Sequence, residues 1–296
     1  MSDAPLKDIA VLITCFNRRE TTLQCLRRLR EQVVPSGYSI RVVLTDDGSS
    51  DGTGDAVRRE FPAATVLHGD GHQYWVGGTL MAWDAARPAD FYRWLNDDVT
   101  LRPGAIQSLI EVHEASANPA AIAVGATCDP DRGKTCTGGM HRTNWYNVRV
   151  MEPTDAVQMC DSINGNIVLV PRAAEERIGV LDSTYTHFFA DGDYGLRARK
   201  NGLPVLLAPG HLGECRLNPL ANSSFDATLS AAQRWKKMFG PKGYRPPKQW
   251  WTFVRAHAPR PKVLFWAMPY ALFAVETLLG GKVRLRRNVQ RPMEVN

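Results

Sequence analysis

The feature that most constrains the fold is a regular alternation of short apolar runs with helix-like stretches. It extends over the first two-thirds of the chain. Residues 9–13 form an unbroken apolar run, as expected for a strand that is buried on both faces. Strands that alternate with helices predict an α/β fold with a mainly parallel, Rossmann-like sheet flanked by helices. We predict strands at residues 9–13, 40–45, 65–68, 91–95, 122–124, 167–170 and 205–208, and helices after residue 17 and at residues 55–61, 103–115 and 193–201.

Local signals mark some ends of these elements. Asn17 is predicted to cap the first helix, with Glu20 three residues later in a capping box. Gly202 is predicted to end the helix at residues 193–201. Two interpretations stay open for residues 164–166, Asn-Gly-Asn: Asn-Gly is a strong hairpin-turn signal, and a polar turn at Asn164 and Gly165 also suits the lining of an acceptor or donor-sugar pocket.

Polar residues follow three of the predicted strands. They occupy residues 14–18, 46–53 and 96–98. Because ligands of open α/β sheets bind beyond the carboxyl ends of strands, these three segments predict one common site. No GxGxxG sequence follows the first strand and no GxxxxGK[ST] sequence occurs, which argues against a dinucleotide-binding or P-loop protein.

The residue types in these segments suit phosphate and nucleotide chemistry. Asp97 and Asp98 are adjacent carboxylates that repel each other unless a cation or hydrogen-bond donors offset the repulsion. Their oxygen atoms suit Mg²⁺ or Mn²⁺, and such an ion stabilises a diphosphate leaving group. A carboxylate at Asp46 or Asp47 would accept hydrogen bonds from a nucleobase or from ribose hydroxyls. Taken singly, each pair also has the composition of a solvated turn.

Charge is distributed unevenly along the 296 residues, whose net charge is +6. From residue 234 onward, 14 Lys and Arg accompany 2 acidic residues, whereas the rest has 22 basic against 28 acidic residues. We therefore predict an α/β domain over residues 1–233 and a basic, Trp-rich extension over residues 234–296. The six cysteines lack metal-ligand spacing and predict reduced thiols, with a Cys128–Cys136 bridge as the alternative. The first residues carry no export signal, which predicts a cytoplasmic protein.

Residues 263–275 are almost entirely apolar, but Pro269 interrupts them. A helix of that length reaches about 20 Å, short of a bilayer core of about 30 Å. We interpret the segment as resting on a membrane surface, with packing against the body of the protein as the alternative. Tryptophans beside basic residues also suit nucleic acid, but the apolar run fits a membrane surface better. The flanking basic residues are Lys262, Lys282, Arg284, Arg286 and Arg287.

Four motifs, in their order and spacing, resemble family 2 glycosyltransferases of the GT-A fold over roughly residues 8–215. A fifth, WVGGTLMAWDAA, resembles the bacterial rhamnosyltransferase-like branch. The resemblance implies inverting, metal-dependent transfer of a hexosyl or deoxyhexosyl group from a dTDP- or UDP-sugar. Together with the apolar extension, it also implies a lipid-linked glycan acceptor, for surface polysaccharide synthesis at the inner face of the cytoplasmic membrane. The four motifs are ITCFNRRETTLQCLRRL, VVLTDDGSSDGT, YRWLNDDVTLRPGAI and FFADGDYGLRARKNG.

The resemblance also implies roles for individual residues. Asp98 and His211 would bind Mn²⁺ or Mg²⁺, and Asp97 would contact the ribose or the water shell of the metal. The other donor-binding residues would line the nucleotide, the diphosphate and the sugar. They are Thr14, Phe16, Arg18, Asp46, Asp47, Trp75, Gly77 and Gly78.

Asp191 is the predicted catalytic base. Family members usually carry Glu-Asp at the start of the late helix, and the matching residues here are Ala190 and Asp191, so the Glu is absent. Asp193 is the fallback, although its side chain could instead cap the helix. The base would take the proton of an acceptor hydroxyl while the nucleotide diphosphate leaves from the opposite face of the sugar.

Two other functions compete with the transferase. Ala190 keeps open a catalytically degenerate module that binds nucleotide sugars without turnover. A sugar nucleotidyltransferase shares the α/β shape, but that class opens with a Gly-rich loop, and TCFNRRET contains no glycine. Turnover of a nucleotide sugar, against tight binding without turnover, separates the transferase from the binding module.

Overall fold

The centre of the protein is a ten-stranded mixed sheet, accompanied by a three-stranded sheet. The computed structural model describes residues 5–144, 148–216, 222–226 and 228–278. The strands are β1 (Lys7–Cys15), β2 (Tyr38–Asp46), β3 (Thr65–His68), β4 (Phe91–Leu95), β5 (Thr100–Leu101), β6 (Ile122–Cys128), β7 (Thr135–Thr137), β8 (Gly139–Arg142), β9 (Val148–Val150), β10 (Gln158–Met159), β11 (Ser162–Ile163), β12 (Ile167–Pro171) and β13 (Val205–Glu214). The helices are α1 (Arg19–Arg30), α2 (Thr53–Glu60), α3 (Tyr74–Ala86), α4 (Ala105–Ala115), α5 (Arg172–Ile178), α6 (Ala190–Lys200), α7 (Ala231–Phe239), α8 (Pro247–His257) and α9 (Lys262–Leu278).

The predicted α/β fold is confirmed, and the sheet is mixed because four of its strands, β5, β7, β10 and β12, pair antiparallel with a neighbour. The order is β10-β13-β6-β12-β4-β1-β2-β3, with β5 paired to β13 and β7 to β6. β1 is parallel to β2 and β4, and β13 is parallel to β6. β12, however, is antiparallel to both β4 and β6. The chain reaches β12 from the small sheet, through a turn at residues 164–166.

Helices cover both faces of this sheet, which explains the unbroken apolar run in β1. Ile9, Val11 and Ile13 point into one core, which α1, α2 and α4 complete. Ala10 and Leu12 point into the opposite core, which α3, α5 and α6 complete. Successive side chains of a strand face opposite sides of a sheet, so a strand with two buried faces needs apolar residues at every position.

The capping box predicted at Asn17 is wrong. The N-cap residue of α1 is Arg18, and its side chain makes no capping hydrogen bond. Asn17 has φ of 51°, and its Oδ1 accepts a hydrogen bond from the backbone N–H of Ser50 at 2.8 Å. Its own N–H donates to Oγ of Ser49 at 2.8 Å. Asn17 therefore joins the loop after β1 to the loop after β2, and this tertiary contact replaces local capping.

The hairpin interpretation of residues 164–166 is also wrong. β11 pairs with β8 in the small sheet, whereas β12 pairs with β4 and β6 in the main sheet. The turn therefore connects two sheets rather than two strands of one hairpin. It lies beside the start of α6, where the Gly165 N–H reaches the Asp191 carboxylate at 2.9 Å.

All six cysteines are free thiols, so the alternative of a Cys128–Cys136 bridge is not realised. The Sγ atom of Cys136 donates to the carbonyl oxygen of Cys215 at 3.1 Å. Arg102 lies beside Cys128, with Nη2 3.1 Å from its Sγ atom. The two thiols thus have separate polar neighbours.

The last three helices pack together through aromatic side chains. Trp235 of α7 contacts Phe273 of α9 with ring centroids 4.5 Å apart. Trp250 of α8 donates through Nε1 to the carbonyl oxygen of Trp266 in α9 at 3.1 Å. Pro269 lies inside α9, and among the described residues no helix is long and apolar enough to cross a membrane. The basic residues Lys282, Arg284, Arg286 and Arg287 lie outside the described part of the chain.

Candidate active site

Three polar loops meet at one edge of the main sheet. β1 lies between β2 and β4 and is parallel to both, so the three strands end at the same edge. Residues 14–18, 46–53 and 96–98 follow or complete these strand ends. The N–H of Asp47 donates to the carbonyl oxygen of Cys15 at 2.9 Å, which holds the first two loops together.

Asp46 organises its own loop. The residue is 5% exposed, and its carboxylate accepts hydrogen bonds from the N–H groups of Ser49 at 3.0 Å and Gly54 at 2.9 Å. Gly54 lies in the first turn of α2, where a carboxylate is favoured by the unpaired N–H groups and the helix dipole. The Asp46 side chain is thus held within the protein, and its role toward a nucleotide stays a prediction.

Asp47 fixes the segment that leads into α3. The residue is 2% exposed, and its carboxylate accepts three backbone hydrogen bonds, from Gly71 at 2.9 Å, Gln73 at 3.1 Å and Tyr74 at 2.9 Å. Hydrogen bonds from N–H groups to an ionised acceptor are stronger than those between neutral groups. Asp47 therefore sets the position of residues 70–74 at the rim of the site, and direct contact with a nucleotide stays a prediction for this residue.

The end of β1 and the helix α3 approach closely at Gly78. A Cβ atom at Gly78 would lie 2.3 Å from Cγ2 of Thr14, so a side chain there requires the two elements to separate. Gly77 is more open, because an added Cβ would meet mainly the flexible Gln73 side chain. Phe16, in the same loop as Thr14, is 44% exposed, which leaves its ring available for stacking on a base.

Arg18 pairs with both carboxylates at the end of β4. Its Nη1 lies 2.8 Å from Asp98 Oδ2 and 3.2 Å from Asp97 Oδ1. Thr22 in α1 adds a contact of 3.5 Å between its Oγ1 and Asp97 Oδ2. Burial raises the pKa of Asp97 to about 7, against the opposing charge of Arg18. The repulsion expected between adjacent carboxylates is thus offset by a side chain of the protein itself.

The donor set fits a metal that is held largely by substrate. Mg²⁺ is commonly bound by one or two carboxylates together with substrate phosphates, and the Asp98 side chain keeps 22% exposure. Its Oδ1 lies 3.7 Å from the Cys215 thiol. His211 Nε2 instead lies 2.7 Å from Thr135 Oγ1 and 3.9 Å from Glu152 Oε1. Within the described ranges, no three His, Cys, Asp or Glu residues form a ready ligand set.

A hydrogen-bonded polar floor connects the end of β4 to the start of α6. Trp75 in α3 donates through Nε1 to Oδ1 of Asn96 at 3.0 Å. Nδ2 of Asn96 donates to Oδ1 of Asn166 at 2.8 Å. Next to Asn166, the N–H of Gly165 donates to Oδ2 of Asp191 at 2.9 Å. We call this chain of contacts, from Trp75 to Asp191, the cleft floor.

Asp191 lies in the first turn of α6, partly buried at the end of the cleft floor. Burial raises the pKa of Asp191 above its ordinary value, while hydrogen bonds from Gly165 and Gly192 oppose that shift. Gly165 is in close contact, since an added Cβ would lie 3.2 Å from the Asp191 Cβ. Ala190, which stands where the family usually carries Glu, is fully buried in the core beneath α6. An apolar residue therefore suits that position.

Asp193 is engaged with two basic side chains inside the protein. Its Oδ2 accepts from Nε of Arg197 at 2.7 Å, and its Oδ1 lies 2.7 Å from Nε2 of His257 in α8. Burial would raise the pKa of Asp193, but the hydrogen bond from His257 and the charge of Arg197 outweigh it and lower the pKa. With its side chain 4% exposed, Asp193 is a structural anchor, which leaves Asp191 as the candidate base.

Sequence reasoning missed a basic group at the rim of the cleft. Lys242 lies over the ring of Tyr74, with Nζ 5.6 Å from the centroid. Desolvation, together with the charges of Lys242 and Arg18, lowers the pKa of His187 to about 4, although the residue as a whole remains exposed. Lys242 precedes α8 and His187 precedes α6, so no sequence motif joins them. Only the fold brings His187 within reach of the charges of Lys242, Arg18 and Asp98.

Comparison with known proteins agrees with this geometry. The family model described as glycosyl transferase family 2 matches residues 10–156. Two curated proteins from two strains of Mycobacterium tuberculosis, both described as N-acetylglucosaminyl-diphospho-decaprenol L-rhamnosyltransferase, are 30% identical over 201 residues. The match covers 57% of this chain and 64% of each relative. The chain thus spans about 64% of the length of the curated relatives it matches.

Proposed function

We propose that this chain, which the glycosyl transferase family 2 model matches over residues 10–156, transfers a hexosyl or deoxyhexosyl group from a dTDP- or UDP-sugar to a glycan, with inversion at the anomeric carbon. The observation that carries this proposal is the cleft floor. It has the carboxylate of Asp191 at one end and Asn96, the neighbour of the Asp97-Asp98 pair, at the other. A candidate base and an acidic pair suited to a cation thus share one hydrogen-bonded support.

Asp191 is the group that we assign to the acceptor. A sugar hydroxyl is a weak nucleophile, so a carboxylate within hydrogen-bond reach must take its proton. Burial raises the pKa of Asp191, which makes the carboxylate a stronger base. Hydrogen bonds from Gly165 and Gly192 hold both of its oxygens and so fix its direction.

Arg18 and Asp98 are the groups that we assign to the donor diphosphate. When bound, a divalent metal at Asp98 would supply charge stabilisation for the departing diphosphate. Arg18 already lies 2.8 Å from Asp98, and its planar guanidinium suits phosphate oxygens. Lys242 adds a second cation near Tyr74 at the same rim. Phe16 and the Asp47-fixed segment would border the nucleoside.

The substrate classes are proposed from the relatives. Their name describes transfer of L-rhamnose to an N-acetylglucosaminyl-diphospho-decaprenol, and we extend to this chain a deoxyhexosyl donor and a lipid-linked glycan acceptor. Such an acceptor places the enzyme at the inner face of the cytoplasmic membrane, in the synthesis of a surface polysaccharide. The identity of 30% with these relatives supports the class of reaction more strongly than the individual sugars.

The surface of α8 and α9 supports attachment to a membrane. A groove of about 410 Å³ is lined by Pro247, Lys248, Trp251, Val263 and Trp266. Val263 is 60% exposed, and other apolar side chains of α9 also reach solvent. Exposed aliphatic and Trp side chains beside basic residues are typical of helices that lie in a membrane interface. We therefore propose that residues 234–296 bind the membrane surface peripherally and that they do not bind nucleic acid.

The test is a panel of UDP-, dTDP- and GDP-sugars assayed for release of nucleotide, with Mg²⁺, with Mn²⁺ and with EDTA. We expect metal-dependent turnover of one deoxyhexosyl or hexosyl donor, enhanced by a lipid-linked acceptor. Asp191→Asn should abolish most of this turnover, because the amide cannot accept the proton. Asp55→Asn is the matched control, since its side chain is 84% exposed on α2, away from the cleft floor.

Two outcomes would overturn the proposal. If a nucleotide sugar bound tightly under all conditions without turnover, the degenerate binding module suggested by Ala190 would replace the transferase. If no nucleotide sugar bound at all, the assignment of the cleft as a donor site would be wrong. Vesicle flotation tests the membrane part separately, and failure to bind anionic vesicles would remove only that part.

A further inference from the structure

The turn that precedes Asp191 has an unfavourable backbone. Phe189 is the N-cap residue of α6 and adopts φ of 76° in the left-handed region. A bulky side chain rarely adopts this conformation, because its Cβ crowds the neighbouring backbone. Such a conformation persists only where the surroundings hold it in place. We call residues 186–191 the Asp191 turn.

Aromatic side chains of the C-terminal extension surround Phe189. Its ring lies 5.5 Å from that of Trp250 and 5.2 Å from that of Phe253, both in α8. The guanidinium of Arg245 lies 4.9 Å from the same ring and 4.3 Å from that of Trp250. Phe189 thus lies within a cluster formed by α8 and Arg245. This cluster fixes the position of the Phe189 ring and, with it, the backbone of the turn.

Two hydrogen-bonded pairs hold the turn from either side. Gln249 in α8 donates through Nε2 to Oγ1 of Thr186 at 2.9 Å, at the beginning of the turn. Beyond its end, Nε2 of His257 lies 2.7 Å from Oδ1 of Asp193, and both side chains are at most 5% exposed. Gln249 and His257 lie near opposite ends of α8, so one helix spans the turn.

We infer that α8 is part of the active site and that His257 is a positioning residue for Asp191, an inference that rests on the proposed role of Asp191 as base. His257 holds Asp193, Asp193 lies in the same helical turn as Asp191, and the aromatic cluster holds Phe189 on the other side of the base. The extension therefore holds the start of α6, which carries the base, and also forms the surface proposed to meet the membrane. His257 does this without touching substrate.

The test is steady-state kinetics of His257→Ala and His257→Gln, beside Arg255→Ala as a control on the exposed side of the same helix. A displaced base costs turnover more than binding, so His257→Ala should lower kcat by about 10- to 100-fold. KM for the donor and nucleotide affinity by calorimetry should stay within about twofold of wild type, because donor contacts lie elsewhere. His257→Gln should recover most of kcat, since its Nε2 can reach Asp193.

Each outcome decides the inference. A folded His257→Ala protein with wild-type kcat would overturn it, as would equal losses of kcat and nucleotide binding without recovery in His257→Gln, which indicate a general structural role. If His257→Ala fails to fold, Gln249→Ala provides the same test at Thr186. Asp191→Asn separates the two proposals: full activity there would refute the assigned base, whereas an inactive Asp191→Asn with a fully active His257→Ala refutes only the role of α8.

Discussion

The proposed donor side of the candidate site, at residues 14–18, 46–54, 70–78 and 96–98, and the proposed base side, at residues 186–193 with α8, are built in different ways. On the donor side, Asp46 and Asp47 accept hydrogen bonds from backbone N–H groups at most 27 positions away, and Arg18 pairs with Asp98, 80 positions away but on a neighbouring strand end. On the base side, the anchor Asp193 is held by His257, 64 positions away, and Thr186 by Gln249, 63 positions away. The donor side is thus built within residues 14–98, from three neighbouring strand ends and the segments that follow them. The base side depends on a separate segment that folds back onto α6.

Removing the carboxylate of Asp98, the proposed metal ligand, should have the largest effect, and the effect should be confined to the donor side. In Asp98→Ala we expect metal-dependent turnover to fall by about 10³-fold, because the charge on the leaving diphosphate loses its stabilisation. Titration with Mn²⁺ followed by electron paramagnetic resonance should show weaker binding in the presence of nucleotide. Unchanged turnover and metal response would place the metal elsewhere, or remove it from the reaction.

Asp47→Ala should remove the backbone hydrogen bonds that hold residues 70–74 on the donor side. Three backbone N–H groups, of Gly71, Gln73 and Tyr74, would lose their acceptor, which we expect to cost about 3 kcal/mol of the free energy of unfolding. Urea denaturation measures this loss. Asp70→Ala is the control in the same loop, since Asp70 is exposed, and it should cost well under half as much. Equal losses would contradict the special role of Asp47.

Gly78→Ala should separate the two elements that form the donor side. The new methyl group would overlap the Thr14 side chain, so we expect a loss of stability of about 2 kcal/mol with weaker nucleotide binding. Gly77→Ala adds the same methyl group one residue earlier, where mainly the flexible Gln73 side chain must move. A thermal melt of both variants checks the contrast. A Gly77→Ala variant that is as unstable as Gly78→Ala would show that the close contact with Thr14 is unimportant.

The pH dependence of the free energy of unfolding should reveal the burial of Asp97 on the donor side. Its pKa is raised from 3.8 to about 7, mainly by burial, so the folded protein binds this proton more tightly than the unfolded chain. The stabilising contribution is therefore full below about pH 4 and is lost as the pH rises to about 7. Relative to Asp97→Asn, wild type should lose up to about 4 kcal/mol across that window, since one pKa unit corresponds to about 1.4 kcal/mol. Parallel curves for the two proteins would show that Asp97 titrates normally.

The sequence predicts the elements of this fold better than it predicts their contacts. The strand at Phe91–Leu95 has the predicted bounds, because an apolar run between turn residues is a local signal. The prediction at Asn17 failed because its side chain binds Ser50 rather than the helix it precedes. The direction of β12 was missed because it depends on the small sheet, whose strands are too short for a periodic signal.

The candidate site shows the same difference between what the sequence predicts and what only the fold determines. Asp97 and Asp98 are consecutive residues, so their proximity follows from the sequence alone. No sequence pattern predicts the pairing of His257 with Asp193, because a single His in the C-terminal extension can contact any part of the α/β domain. Asp193 is therefore a possible base by sequence, and only its hydrogen bonds with Arg197 and His257 identify it as an anchor.

The most direct test compares nucleotide binding and sugar transfer in wild type and Asp191→Asn. It asks whether the donor side and the base side act separately. We expect UDP or dTDP to bind both proteins within about twofold in the presence of Mg²⁺ or Mn²⁺, while transfer by Asp191→Asn falls by about 10³-fold. Transfer at the wild-type rate by Asp191→Asn would contradict the role of the base side. A loss of nucleotide affinity as large as the loss of transfer would contradict the division itself, because the two sides would then act as one.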